Sequence, residues 1–482
     1  MCTRFGIALA LISCLPITLW ANGLDIPEQG ARSLARGGAF SARADDPTAT
    51  VHNPGAVSKL RGTQLMYSHN LFWNFTDFTR GESNVPPTAG TEMLSGHETR
   101  FQKVSNETPF FPLGVTLAAT TDFGLDNMTF GLSLLGPNSS GHVTYPQDGG
   151  QRYMLTELDV LLIYYGVTAA YGTDKWGVGA TLQWVHMPYL DFSLVVDGTI
   201  LPTVNPYASN FDIEATVHVE DKFAPSALLG AWFRPTNAIE IGLSGRPFPI
   251  NLDTKGSPEI TKIKGTLPDV AMLDLAVKNG TTALDLKLPP TARLGARYRH
   301  LNGKAEVFDI EVNVVWEGWS TLDEYDAQLE GGVELFGMEQ AINDVIVKKD
   351  WQDALSVRLG GSWQVLPGQL SVSLGGFWEQ AAAPDSHAHL DFPAGERLGI
   401  GSGLTYTFNI SDNTSLDLTL AYNYTSQKDI TVTEADGRVY QQRPLSPCTE
   451  ANNCDDDVGL VANTGTFETA FQQLGLAAAI KF

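Results

Sequence analysis

Ala42-Arg-Ala-Asp-Asp-Pro-Thr-Ala-Thr-Val-His-Asn-Pro-Gly-Ala56 decides how the rest of the chain is read. The stretch is too polar for a barrel strand, and Pro47, Pro54 and Gly55 break any long helix through it. A Gly-rich run from Gly30 to Gly38, carrying Arg32 and Arg36, precedes it. After Leu60 the pattern changes to long runs of alternating side chains. One short irregular segment followed by a train of strands points to a plug inside an all-β barrel.

The strands follow from period two. Glu306, Phe308, Ile310, Val312, Val314 and Trp316 share one face, and Val307, Asp309, Glu311 and Asn313 the other. Leu416, Leu418, Leu420, Tyr422 and Tyr424 alternate with Asp417, Thr419, Ala421, Asn423 and Thr425 in the same way. Several runs reach ten residues or more, which suits a tilted membrane strand and exceeds the usual sandwich strand. Fourteen strands are predicted, near 62–78, 109–121, 127–136, 154–172, 175–189, 222–234, 238–248, 287–300, 304–317, 353–365, 369–380, 395–410, 414–428 and 467–482. Short turns between them alternate with long connections at 79–108, 137–153, 190–221, 249–286, 318–352, 381–394 and 429–466. Short periplasmic turns and long extracellular loops distinguish a transmembrane antiparallel barrel from a soluble sandwich. Both chain ends then lie on the periplasmic side, where the N-terminal segment can fold up into the lumen.

Composition narrows the function classes. The 482 residues show no linker that would divide them, with 43% hydrophobic and only 18% charged residues. Lys and Arg number 31 against 54 Asp and Glu, a formal net charge of −23. That balance argues against nucleic acid as a partner and against docking on anionic lipid by charge alone. Residues 1–21 read as a signal peptide, with Arg4 in the positive region, Phe5 to Leu15 as the apolar core and Ala21 near the cleavage site. The run is too short, and too broken by Pro16, to span a membrane as a helix. Leu11-Ile12-Ser13-Cys14 leaves a second reading open, a lipoprotein box with its lipid on Cys14. Cys448 and Cys454, in the last long connection, are expected to form a local disulfide outside the cell. Two thiols with no His nearby are too few for a closed zinc site.

Catalytic constellations are absent: the chain has no Gly-x-Ser-x-Gly and no His-Glu-x-x-His motif. It is not read as an enzyme, and no metal, nucleotide or redox cofactor is expected. Asp455 to Asp457 read as a solvated or ion-bridged loop, and His387 and His389 as surface histidines. Alternation turns Arg293, Arg297, Arg299, Arg358 and Arg397 toward the lumen, because charge facing lipid is costly. These arginines have two readings. They pair with Asp309, Glu311, Asp45 or Asp46 to hold plug to wall, or they bind a ligand carboxylate. Gly131, Gly136 and Pro137 mark a bend or lost pairing at the outer end of the third strand, or simply its end.

Ala44-Asp45-Asp46-Pro47-Thr48-Ala49 followed by His52-Asn53-Pro54-Gly55 resembles the N-terminal hatch of the outer-membrane long-chain fatty acid and aromatic-hydrocarbon transporter family. The family pattern ends in Asn-Pro-Ala, so Gly55 departs from it by one methyl group. The likeness extends through Leu288-Pro289-Pro290, Gly295, Trp316 and Trp319-Ser320, then Lys349-Asp350-Trp351 to Gly360 and Gly375 to Pro384. The last strand, ending Ile480-Lys481-Phe482, resembles the signal read by the barrel assembly machinery. The resemblance implies a signal peptide at 1–21, a hatch at 22–58 and a barrel at 59–482. It implies a monomer crossing the outer membrane of a Gram-negative bacterium many times, among lipid and lipopolysaccharide. Its ligand would be a hydrophobic small molecule, captured in a groove among loops such as Leu190 to Ile200 and Val270 to Val277. From there the ligand passes to a lumen pocket and leaves sideways where the third strand kinks beside a rearranging hatch. A general porin, or a structural or adhesive barrel, is the rival reading.

Overall fold

Alternating side chains give each strand two unlike faces, and closing the sheet on itself sends one face inward and the other outward. The computed structural model describes residues 29–82, 91–93, 99–136, 141–198, 212–263, 273–335, 337–445 and 460–482. Fourteen strands form its wall: β1 (Thr63–Arg80), β2 (Phe110–Thr121), β3 (Met128–Leu135), β4 (Glu157–Gly172), β5 (Trp176–Asp197), β6 (Asp212–Thr236), β7 (Ile239–Arg246), β8 (Thr291–Asn302), β9 (Ala305–Glu317), β10 (Ala354–Leu366), β11 (Leu370–Glu379), β12 (Arg397–Ser411), β13 (Thr414–Gln427) and β14 (Gly465–Lys481). Every neighbouring pair is antiparallel, and β14 returns to β1 from Gln64↔Lys481 to Arg80↔Gly465, so the barrel has no free edge.

The tight turns all lie at one end. Gly303-Lys304 joins β8 to β9, with Gly303 at φ 65°, the left-handed conformation that glycine supplies at the first position of a two-residue hairpin. Asp122 closes the β2–β3 turn by accepting from the backbone of Gly124 and Gly62, both at 2.9 Å.

Polarity is inside out relative to a soluble protein. Leu182, Leu374 and Leu398 on the outer face are 68%, 61% and 63% exposed. Asp309, Glu311 and Asn313, on the opposite face of β9 from Ile310 and Val312, are almost wholly buried. An apolar belt continuous around the barrel is the surface that a bilayer covers.

The long connections are more ordered than expected. β5 and β6 run on past 189 and begin before 222, pairing to Asp212↔Asp197. Shifts in register between Val219 and Asp221, and between Asp221 and Ala224, mark where this hairpin leaves the belt. Beyond them the faces exchange character. Ile213, Ala215 and Val217 point inward, whereas Glu214 and Thr216 are partly exposed. Connections read as loops also contain strands, at Ile250–Asp253, Lys255–Lys262, Leu273–Leu288, Glu324–Leu335 and Val345–Lys348. Pro289 and Pro290, which cannot donate to a ladder, separate Leu273–Leu288 from β8. Together these pieces close an apolar core above the barrel that includes Leu158, Leu252, Leu284, Trp319 and Trp351.

Candidate functional site

Residues 29–60 lie within the barrel. Two short helices, α1 (Ala31–Ala35) and α2 (Ala49–His52), and a 3-10 turn at Pro54–Lys59 are joined by irregular backbone. The wall meets them with glycine. A methyl group on Gly230 would strike Asn53 Oδ1 at 2.3 Å, one on Gly242 would strike Ser41 O at 2.4 Å, and one on Gly375 would strike Arg36 O at 2.1 Å. Backbone thus packs on backbone around the lumen. Gly55 belongs to this seam. A methyl there would meet Gly230 O at 2.6 Å and Ala231 Cα at 2.8 Å, so this chain needs Gly where the resembled pattern has Ala.

Asn53 holds the turn from both ends of its amide. Its Nδ2 donates to Ser41 O at 2.8 Å and to Ala231 O of β6 at 3.0 Å, while Oδ1 accepts from Gly55 N at 3.1 Å. Pro54 opens the 3-10 turn, where its missing N–H is no loss. Asp46 Oδ1 accepts from the backbone of Thr48 at 2.9 Å and from its hydroxyl at 2.5 Å, across Pro47. Asp45 pairs with Arg32 at 3.2 Å and Arg43 at 2.9 Å.

Charge ties the segment to β7–β9. Asp309 of β9 receives Arg36 at 2.8 Å, Arg43 at 2.6 Å and Arg297 at 2.8 Å. Glu311 accepts from the backbone of Ala42 and Arg43 at 2.8 and 3.0 Å. Glu240 of β7 takes Lys59 at 3.0 Å and Arg297 at 3.1 Å. Removing one partner from so buried a group costs roughly 3–5 kcal/mol, because the others are left uncompensated. The N-terminal segment thus supplies most of the cations and the wall the acids, the reverse of wall arginines reaching Asp45 and Asp46. Arg43, Lys59 and Glu240 had not been singled out.

The other inward arginines have separate settings. Arg358 donates to Glu379 at 2.7 Å and stacks on Phe377. Arg397 donates to Gln427 Oε1 and Pro393 O, both at 3.2 Å, and lies over the Phe471 ring. Arg293 Nη1 lies 3.5 Å from His52 Nδ1 and lines a cavity.

That cavity is the most informative feature. Leu158, Leu190, Phe192, Leu252, Leu284 and Trp319 supply its apolar wall under the extramembrane strands. It descends past Leu135 and Tyr164 to Gln29 and Val51 of the plug, with Arg246 and Arg293 beside them. Arg246 donates from Nε to Ser226 Oγ at 3.1 Å. Nothing in the sequence had marked it, because it falls at a strand end where alternation gives no face. The apolar run after Leu190 does help build the cavity, but as strand rather than loop. Residues 199–200 and 270–272 lie outside the described residues.

β3 ends at this cavity. Its ladder to β2 spans Thr121↔Phe130 to Thr116↔Leu135, and its ladder to β4 stops at Leu135↔Tyr164. Gly131 sits inside both ladders without a shift in register, and a methyl on it would strike Thr50 Cγ2 at 2.8 Å. It is therefore a seat for α2 and not a kink. Pairing ends at Gly136, whose N–H still donates to Val115 O at 2.7 Å. Pro137 lies outside the described residues, as do residues 1–28 and both Cys448 and Cys454.

His389 is a correction: it is 2% exposed, not a surface histidine. Its Nδ1 bonds Asp391 at 2.8 Å, and Lys349 Nζ donates to the other Asp391 oxygen at 2.5 Å. Burial alone would raise the Asp391 carboxyl, but His389 and Lys349 hold it below its ordinary range. Burial depresses Lys349 and His389, more than Asp391 raises them. A local loop pattern cannot show that the Val345–Lys348 strand delivers Lys349 to this site. Among the described residues no group of three His, Cys, Asp or Glu side chains is placed to hold a metal.

Residues 12–454 match the family described as outer membrane protein transport protein (OMPP1/FadL/TodX). No curated protein matches the chain. Among solved structures it is similar to a Pseudomonas aeruginosa FadL homologue, with TM-score 0.68, 15% identity, and 96% of this chain and 99% of that one covered. The P. putida toluene transporter TodX gives TM-score 0.63 at 15% identity, with 95% and 99% covered. The Ralstonia pickettii toluene transporter TbuX gives 0.62 at 13%, with 95% and 99% covered. At such identities the likeness carries the fold alone. The family and these neighbours are transporters and not enzymes.

Proposed function

Because the chain belongs to the outer membrane protein transport protein family (OMPP1/FadL/TodX), we propose that it is a passive channel for one class of cargo, lipophilic small molecules. The carrying observation is the apolar cavity that runs from the extramembrane core to the plug and touches the end of β3. Burying an alkyl chain there contributes about 0.8 kcal/mol per methylene. The apolar body would lie along Leu190, Phe192 and Leu284, with any polar end near Arg246 and Arg293. Residues 22–58 act as a hatch, and cargo leaves sideways beyond Leu135, where the ladder from β3 to β4 ends among the described residues. Backbone left unpaired at membrane depth is tolerated only where protein or a lined cavity shields it, which suits an exit facing the plug. Long-chain fatty acids and aromatic hydrocarbons, the latter named for TodX and TbuX, both fit this chemistry.

A general porin would need an open aqueous lumen, and residues 29–60 fill this one. The test is binding of palmitate, toluene and glucose to purified protein in mild detergent. Palmitate or toluene should bind and glucose should not. Phe192→Asp with Leu284→Asp, which buries charge in the cavity, should weaken binding at least tenfold while circular dichroism stays unchanged. Undiminished binding in a folded variant would remove the cavity from the account.

A further inference from the structure

We infer that the hydroxyl of Tyr325 is a second polar subsite of the cavity, separate from Arg246 and Arg293, and that it binds the oxygen of an uncharged lipophile such as a ketone, ester or alcohol. This rests on the reading that the cavity takes a lipophile.

Two side chains that line the cavity hold a buried polar atom with no hydrogen-bond partner among the described residues: Gln183 through Oε1 and Tyr325 through its hydroxyl. Of these two atoms, only the hydroxyl can donate. Tyr325 lies in the strand Glu324–Leu335 and is 8% exposed, with the apolar liners Ala327 and Val347 beside it. A buried hydroxyl without a partner is rare in a folded protein, because its lost hydration is not compensated. A ligand oxygen in the cavity supplies the missing acceptor.

The ring is held from behind. Lys349 Nζ lies 4.5 Å from its centroid and 5.9 Å from that of Trp351. The backbone of Lys349 donates to Asp323 O at 2.7 Å, which fixes it beside the start of the same strand. Phe192, a cavity liner, stacks on His389 at 6.2 Å, and Asp391 is itself a liner, so the Lys349–Asp391–His389 cluster sits at the wall. Asp391 is already engaged. Its Oδ1 takes His389 Nδ1 at 2.8 Å and Phe392 N at 2.6 Å, and its Oδ2 takes Lys349 Nζ at 2.5 Å. Burial, and then the charge of Asp391, push the Tyr325 phenol well above its ordinary range, so it stays protonated and able to donate. Lys349 balances the charge of Asp391, and burial keeps His389 neutral. The cluster thus has no cation to spare for a ligand carboxylate. A carboxylate at Tyr325 would add a second buried negative charge beside Asp391, whereas an uncharged oxygen meets no such repulsion. Acidic ends therefore belong with Arg246 and Arg293, and Tyr325 takes neutral oxygens.

The test is binding of hexadecane and hexadecan-2-one to the purified full chain in mild detergent, with partition into protein-free micelles subtracted. The ketone should bind about fivefold tighter than the alkane, as one added hydrogen bond allows. Tyr325→Phe, which removes the hydroxyl and little else, should bring that ratio to about one. Infrared spectra of the bound ketone, isotope-labelled at its carbonyl, give a second reading. The carbonyl band should lie at lower frequency in the parent than in hydrocarbon solvent, and should return in Tyr325→Phe. If the variant binds neither probe, the parent's carbonyl band decides alone. Equal binding of the two probes by the parent, a ratio retained in Tyr325→Phe, or an unshifted band in the parent would each overturn the subsite alone. Failure of the parent to bind either probe would overturn the transport reading and the subsite with it.

Discussion

Asn53 shows what one side chain does for the plug. Its amide satisfies Ser41 O, Ala231 O and Gly55 N together, and it is wholly buried. Leaving buried backbone groups without partners costs about 1–3 kcal/mol each. Asn53→Ala with Pro54→Ala should therefore loosen the segment by several kcal/mol while the ladders of β1–β14 still form. The measurement is ion conductance in planar bilayers, where the double variant should leak more than the parent. Equal conductance and equal palmitate binding in an assembled variant would mean that this turn is not part of a gate. The Asn-Pro turn was legible in the sequence because its chemistry is local. The partners of Arg36 were not, since Asp309 lies 273 residues away and meets it only once the barrel has closed. His389 was misread for the same reason, as its burial depends on strands that supply Lys349 from elsewhere in the chain.

Among elements, β3 and the β5–β6 hairpin are the instructive pair. Fourteen strands and the rhythm of their connections could be read from period two alone. The upper part of β6 could not, because beyond Asp221 the apolar residues Ile213, Ala215 and Val217 face inward and not toward lipid. A reader following the lipid-facing stripe stops at the bulge. In β3 the glycines were visible but their jobs differ. Gly131 makes room for Thr50, and Gly136 ends the ladder. Gly131→Val should thus displace α2 and raise conductance, whereas Gly136→Val should leave conductance unchanged and slow palmitate delivery several-fold. Measuring both quantities on the two single variants separates the roles. The same phenotype from both, in assembled protein, would contradict the assignment of Gly131 as a seat.

At the scale of the molecule, the barrel solves two opposite problems with one alternation. Its outer face is apolar to suit a bilayer, and its inner face is polar enough to hold a charged plug. Above the belt the arrangement inverts, so an apolar cavity lies under the extramembrane strands and ends on that plug. A filled lumen beneath an apolar cavity makes a specific transport prediction. The most direct measurement is uptake of radiolabelled palmitate, toluene and glucose by cells whose own lipophile transporters are deleted, with and without this protein, alongside bilayer conductance of the purified barrel. The account predicts faster entry of palmitate or toluene, no change for glucose, and little steady conductance. Glucose entry with large open-channel currents, and no gain for either lipophile, would contradict it.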